Sequence, residues 1–333
     1  MKKTLLLVGL AALAVPAAHG EGAFTIYSEN DKYFAGTDRH YTNGFKLTYA
    51  DELEHPRLNA LGSLLDQLGR HLAVLEPARS PDQPPPELKL TFSLGQNIYT
   101  PTLIHTSTPD PHDRPYAAWL YGAVGFQRQE ARQLQVIELD FGMVGPAALG
   151  REIQNGWHNV IHVAHAEGWS HQLHNEPGLD LTYDWRHRWL ATTEPATGLG
   201  FDVIPRWGVS LGNVQTYLSA GPLVRAGWRL PADYGPDLIR AAGGSDAKTR
   251  GLSVFLFGSA NGRAVARDIF LDGNTFEDSP SVRKRPLVAD LSAGLAIYWG
   301  VVHFAYTQNY RTLEFYGQKQ RDVFGSLSMS FVW

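Results

Sequence analysis

The sequence predicts an all-β fold: a twelve-stranded antiparallel transmembrane β-barrel with one helix in an outward-facing loop. Three observations predict it. The chain opens on an export-type segment, closes on a stretch alternating with period two up to a terminal aromatic residue, and repeats weak strand signals in between.

Lys2 and Lys3 form a basic head, and Thr4 to Val15 form an apolar run too short to cross a bilayer. Pro16 to Gly20 then supplies small residues before Glu21. This is the pattern of a secretory signal peptide, so residues 1–20 are expected to be removed and 21–333 to form one outer-membrane β-barrel domain. Without Lys2 and Lys3 the chain keeps 27 basic residues against 33 acidic ones, a formal charge of −6. That balance argues against a nucleic-acid partner, which would favour a clustered basic surface. There is no cysteine, so an exported chain of this size must rely on a large core or a closed sheet rather than on disulfides.

At the carboxyl end, Leu327, Met329, Phe331 and Trp333 share one face, and Ser326, Ser328 and Ser330 the other. A terminal aromatic on such a strand resembles the assembly signal of outer-membrane barrels. Upstream, Phe45, Leu47 and Tyr49 alternate with Lys46 and Thr48, and Leu88, Leu90, Phe92 and Leu94 with Lys89, Thr91 and Ser93. Trp119, Tyr121, Ala123 and Gly125 sit among small residues, while Leu179, Leu181 and Tyr183 resume the alternation. Twelve strands follow: 23–30, 41–51, 88–98, 116–128, 132–143, 178–190, 198–208, 213–228, 250–260, 286–299, 301–313 and 321–333. Arg263 to Leu271 fits either a further strand or a long loop.

An even strand number returns both termini to one side. The connections 31–40, 99–115, 144–177 and 261–285 then face outward and hold nearly every polar cluster. The turns near 129–131 and at Gly300, and the Pro-rich stretch 81–86 in a longer loop, face inward. In the third outward connection, Gly145-Pro146 starts a helix expected to reach about His165, since proline suits a first helical turn. Ile153, Trp157, Ile161 and Ala164 form its apolar stripe, suited to lie on the barrel rim. Gln154, His158, His162 and His165 form a polar stripe facing a cleft.

Several clusters carry candidate chemistry. Ser28 to Asp31 and Gly36 to Gly44 place carboxylate, amide and hydroxyl oxygens close together, which suits calcium or an ordinary acidic turn. Arg114 in Asp113-Arg114-Pro115-Tyr116 suits a phosphate, a carboxylate or a structural rim position. His158, four residues after Gln154, suits a general base. With His162 it also has zinc spacing, but without a third ligand. Gly208 to Gly212 matches G-x-S-x-G by chance, because it lies between strands rather than at a strand-to-helix elbow.

Taken together, Glu29-Asn30-Asp31, Thr37 to Gly44, Asp113 to Ala117, Val144-Gly145-Pro146, Gln154 with His158, and Gly168 to Pro177 resemble the lipid A deacylase family (lipid A 3′-O-deacylase) from about Ala23 to Trp333. The resemblance implies calcium-dependent hydrolysis of 3′ ester-linked acyl chains of lipid A, and the strand parity puts that chemistry on the cell exterior. By motif, Asn30, Asp31, Thr42, Gln154 and His158 match the family's active-site positions. Asp31 and Thr42 would hold Ca2+ with backbone carbonyls, and His158 would activate water. Gln154 or Asn30, with the calcium ion, would stabilise the oxyanion. The partners implied are lipid A or lipopolysaccharide and the outer membrane, with no obligate protein partner. The chain departs from the family pattern at Thr106 and Ser107, where some members carry Lys-Arg. It departs again at Ala164 and Ala166, with Glu167 nearby, where some members carry an acidic and an aromatic residue. An outer-membrane phospholipase and a non-enzymatic small barrel or porin share the same fold.

Overall fold

A computed structural model describes residues 22–33, 40–52, 63, 67, 85–236, 239, 249 and 251–333. The expected signal peptide, the Gly36 to Arg39 segment and the Pro81 to Pro84 stretch lie outside the described residues.

The strands are β1 (Ala23–Asn30), β2 (His40–Glu52), β3 (Glu87–Thr100), β4 (Ala117–Gln129), β5 (Gln133–Val144), β6 (Glu176–His187), β7 (Leu190–Thr193), β8 (Leu199–Gly212), β9 (Gln215–Trp228), β10 (Leu252–Asp268), β11 (Leu287–Trp299), β12 (Val302–Arg311) and β13 (Asp322–Val332). Each pairs antiparallel with its sequence neighbour, apart from the short β7. β1 closes the sheet on β13, with Ala23 opposite Val332 and Asn30 opposite Gly325. Between them, β6 and β7 cover successive stretches of β8, so β7 continues the line of β6 after a break at Arg188 and Trp189. The expected twelve-stranded barrel is therefore present, with the sixth strand split in two.

Alternation sets the two faces. Phe92, Leu94, Phe141, Leu181, Leu218, Leu256 and Leu295 point away from the axis and are exposed. Charged side chains point inward and pair: Lys46 Nζ donates to Glu138 at 2.8 Å, and Arg225 forks onto Asp202 at 2.5 and 2.9 Å while also meeting Asp233. Apolar outside and polar inside reverses the soluble pattern, as hydrocarbon surroundings require. Exposed Trp189 and Trp299 mark the rim that carries the chain ends, and exposed Phe276 and Tyr316 mark the opposite rim, in the manner of aromatic girdles. No described helix is long and apolar enough to cross a membrane.

The lumen is stoppered. β10 runs on to Asp268, so Arg263 to Asp268 extend that strand rather than forming another. The helical turn α2 (Ile269–Asp272) then buries Ile269, Phe270 and Leu271, with Phe270 stacked on Tyr99 at 4.1 Å beside Trp119, Tyr121 and Phe324. From the other rim, Tyr234 packs against Leu134, Val136 and Ile204 and donates to the Glu130 carbonyl at 2.6 Å. The turns expected near 129–131 and at Gly300 are present, the latter with φ +60° in a two-residue hairpin.

A buried ion pair is costly to halve and cheap to delete whole. Lys46→Met alone is expected to destabilise the barrel by about 3–5 kcal/mol in urea unfolding in lipid or detergent, and Lys46→Met with Glu138→Leu to recover most of that loss. Equal stability of the single and double variants would remove this pair from the account.

Candidate functional site

The site begins with an extra residue. β2 pairs with β3 in register from Glu52 to Asn43, but Asn43 faces Ile98 and Tyr41 faces Tyr99, so Thr42 is bulged out of the ladder. Tyr41 consequently joins the aromatic stopper in the lumen, and Thr42 turns to the outer wall, where its hydroxyl lies 2.7 Å from that of Thr100. β1 ends on the same outer face: Asn30 pairs with Asn43, and the Asp31 N–H donates to the Thr42 carbonyl at 3.4 Å.

The helix lies across this wall. Gly145, at φ +97°, admits the His174 carbonyl 2.4 Å from where a Cβ would stand, and turns the chain back from β5. A single 3-10 turn (Pro146–Ala148) follows, and then α1 (Gly150–Ile161). Gly150 lets the helix touch the barrel, since a Cβ there would sit 2.5 Å from Ala118 and 2.6 Å from the Trp169 ring. Beneath α1, Ile98, Tyr116, Ala118, Ala148, Ala166 and Trp169 form one buried cluster, and Gln96 Nε2 donates to the Ala148 carbonyl at 2.6 Å.

Two helical expectations need correction. The helix stops at Ile161 rather than near His165, because His162 adopts the left-handed conformation (φ 57°) and its N–H returns to the His158 carbonyl. His162 and His165 are exposed and leave the polar stripe, and with them goes the zinc pairing with His158. Among the described residues no group of three histidines, carboxylates or cysteines could hold a metal. The faces are also reversed. Gln154 and His158 are buried against the wall, whereas Ile153, Trp157 and Ile161 are exposed. On the outside of a membrane barrel the apolar stripe is stable facing outward, and the polar one needs the protein.

All five motif-matched residues meet in one narrow crevice, lined by Asn30, Asp31, Thr42, Gln154 and His158 together with Lys32, Asn43, Ile98, Ile153 and Trp157. A separate cavity, inside the lumen, shares none of them.

Hydrogen bonds set the chemical sense of three of these side chains. His158 Nδ1 lies 2.7 Å from the Ala164 carbonyl, which can only accept, so the neutral ring is protonated at Nδ1 and basic at Nε2. Gln154 Oε1 accepts from Trp169 Nε1 at 2.8 Å, which makes the amide nitrogen the donor end. Asn30 Oδ1 accepts from the Lys32 N–H at 2.8 Å, with the same consequence. The departures from the family pattern also gain physical meaning. Ala164 orients His158 through its backbone, and Ala166 is fixed by Asn155, which both donates to its carbonyl and accepts from its N–H. Thr106 makes only a local turn to Thr108, and exposed Glu167 joins Ile104 through its N–H. Neither lines the crevice.

The remaining motifs are structural. Arg114 is buried, donates to Glu314 at 3.2 Å and lies over the Tyr99 ring. Burial acts to raise the Asp113 carboxyl, but hydrogen bonds from His40 and Thr102 outweigh it and hold the pKa at about 2. Asp113 is thus a permanent anion tying the 101–116 loop to the start of β2. Ser210 of the G-x-S-x-G match lies buried within β8 and accepts from Thr182 at 3.0 Å, with no elbow. Sequence reasoning missed Lys32, Thr100, Ile98 and Trp157 as parts of the site. Asn43 and Trp169 lie inside the motifs Thr37 to Gly44 and Gly168 to Pro177, but nothing in the alternation revealed the bulge that brings Thr42 to Thr100.

Calcium takes hard oxygen ligands. Asp31, buried in the crevice, offers a carboxylate, and the Thr42 hydroxyl and Asn43 amide add neutral oxygens, a donor set that fits a hard cation better than a transition metal.

Comparisons with known proteins agree with this architecture. No curated protein matches the chain. Among solved structures, LpxR from Salmonella typhimurium is similar at 21% identity over 93% of this chain and 99% of that one, with a TM-score of 0.73. The β domain of the Bordetella autotransporter BrkA is similar at 8% identity over 94% and 98% of the two chains, with a TM-score of 0.43. The family described as outer membrane protein LpxR matches residues 5–333. The chain, an outer-membrane β-barrel, therefore belongs to the LpxR family, the lipid A deacylases.

Proposed function

We propose that the chain hydrolyses the 3′ ester-linked acyl chain of lipid A in the crevice between α1 and the outer wall of β1 to β3, on the side facing the cell exterior. The observation that carries this reading is the convergence of Asn30, Asp31, Thr42, Gln154 and His158, from separate segments, on one crevice that opens on the lipid-facing surface. An ester reached from the bilayer meets Ile98, Ile153 and Trp157 as apolar lips and the polar groups behind them. The stoppered lumen favours this reading over a conducting pore.

The steps follow from the tautomer and the amide orientations. His158 Nε2 takes a proton from water as the water oxygen bonds to the acyl carbonyl carbon. The negative charge that develops on the carbonyl oxygen is met by the amide donors of Gln154 and Asn30. When the tetrahedral species collapses, the bond to the sugar oxygen breaks, and the imidazolium returns its proton to that oxygen. The products are a free fatty acid and a hydroxyl on the sugar. Calcium, when bound by Asp31 and Thr42 with neighbouring oxygens, would supply positive charge to the same oxyanion. Lys32, in the crevice, offers a counter-charge to a lipid phosphate where Thr106 and Ser107 do not.

Mass spectrometry of lipid A after incubation with the purified protein tests the reading. Loss of one ester-linked acyl mass is expected with calcium and not with excess chelator. His158→Ala is expected to slow the reaction roughly 10²–10⁴-fold. Unchanged lipid A from folded protein, with fatty acid released from glycerophospholipid vesicles, would assign the crevice to a phospholipase. Gln154→Ala is expected to lower kcat about 10²–10³-fold with KM little altered, because its donor acts on a charge present only in the transition state. A rise in KM alone would instead make Gln154 a substrate-binding group. Gly150→Val, which forces α1 off Ala118, is expected to abolish turnover while the folded barrel persists on a heat-modifiability gel; full activity would show that helix contact is dispensable.

A further inference from the structure

The wall opposite the crevice carries a second concave surface. The crevice lies on β1 to β3 under α1, and the ring continues through β4, β5, β6, β8, β9, β10 and β11 before returning by β12 and β13. An open groove crosses β9, β10 and β11 on this far side. Register explains its shape. Leu218, Ala264 and Leu287 stand in one row across the three strands, and Ala220, Gly262 and Ala289 in the next. The exposed leucines are its walls, and the floor is shallow side chains: a Cβ at Gly262 would meet only the Ala220 carbonyl, at 3.8 Å.

The rim above the groove is cationic. Arg285 and Arg321 both line it, and among the described residues no carboxylate does. Arg263, its other charged liner, is mostly buried and turned towards Asp290 and Glu314 at 3.5 and 3.9 Å. Arg285 is held by its Nε on the Phe315 carbonyl at 3.4 Å and lies over the exposed Tyr316 ring at 4.6 Å. Arg321 is braced against Tyr310. Two guanidinium groups fixed by aromatic rings at the polar end of an apolar groove match a phosphate group joined to acyl chains.

We propose that this groove is a second, non-catalytic binding site for a phosphorylated glycolipid, namely lipid A held uncut, with an acyl chain along β9 to β11 and a phosphate on Arg285 and Arg321. The choice of lipid A rests on the deacylase reading, since both sites open at the rim away from the chain ends and so meet the same leaflet. The site lies across the barrel from His158, so its occupant is a bound boundary lipid and not a substrate in waiting.

Native mass spectrometry of the full chain in nonionic detergent tests this, with His158→Ala throughout so that no lipid is consumed. Bisphosphorylated lipid A, the same lipid without phosphates, and a glycerophospholipid serve as probes. Arg285→Ser with Arg321→Ser is expected to weaken retention of one bisphosphorylated lipid A roughly tenfold, and Ala264→Trp to do the same by filling the groove. The phosphate-free lipid is expected to be indifferent to the arginine changes. Equal retention by all three proteins, or arginine-dependent retention of the phosphate-free lipid, overturns the site. Arginine-dependent retention of the glycerophospholipid equal to that of lipid A overturns the glycolipid assignment. Lipid A left uncut by the unsubstituted chain, with retention as expected, would count against the deacylase reading alone.

Discussion

Closure of the sheet is the constraint on which everything else depends. In hydrocarbon an unpaired backbone N–H or carbonyl has no water to turn to, so a membrane-spanning sheet must have no edge. The pairing of β1 with β13 meets that demand from Ala23 to Asn30, and β8 meets it by pairing with β6 and then β7. The ring fixes the direction of every side chain. Leucines and phenylalanines face lipid, and Lys46, Arg225, Asp202 and Glu138 face inward, where each finds an opposite charge. With no cysteine in the chain, covalent staples play no part.

A regular ring offers only two alternating faces, and a chemical site needs a departure from them. Thr42 supplies it by leaving the ladder, which sends Tyr41 into the lumen and places a hydroxyl outside, beside Thr100 and Asp31. α1 supplies the other half. It buries Gln154 and His158 against the wall, in contact close enough to require glycine at position 150. The hydrogen bonds from Trp169 and to the Ala164 carbonyl orient those two side chains before any ligand arrives, and such preorganisation gives fixed dipoles their value at a reacting centre.

The position of the site on the outer wall suits a substrate that lives in the membrane. A water-soluble substrate is best served by a lumen or a loop cleft, but the lumen is occupied by the stack of Phe270 on Tyr99 and by Tyr234. A lipid ester instead approaches along the barrel surface, where the exposed Ile153 and Trp157 continue the apolar band up to the polar groups. The groove across β9 to β11 is built from the same materials, apolar walls below fixed cations, but among the described residues no histidine or side-chain amide lines it. On the proposed reading, one site holds a lipid and the other cuts one.

The sequence by itself determined the class of fold, because period-two alternation is a local property: a strand's faces follow from the order of its own residues, as in Leu88 to Leu94 or Leu327 to Trp333. It also located α1 and the polar pair Gln154 and His158, since spacing by four is equally local. Through the family resemblance it named Asn30, Asp31 and Thr42. What it left undecided depended on partners distant in the chain. Whether Arg263 to Asp268 extended β10 was settled by pairing with β9 and β11, and the split after β6 by the reach of β8. The end of α1 at His162 and the outward turn of its apolar stripe depended on which solvent surrounds the helix. The bulge at Thr42 has no signature in residue order, because an extra residue exists only relative to the strand opposite. Only the tertiary structure could therefore decide that the candidate site stands on the outside of the barrel and not within it.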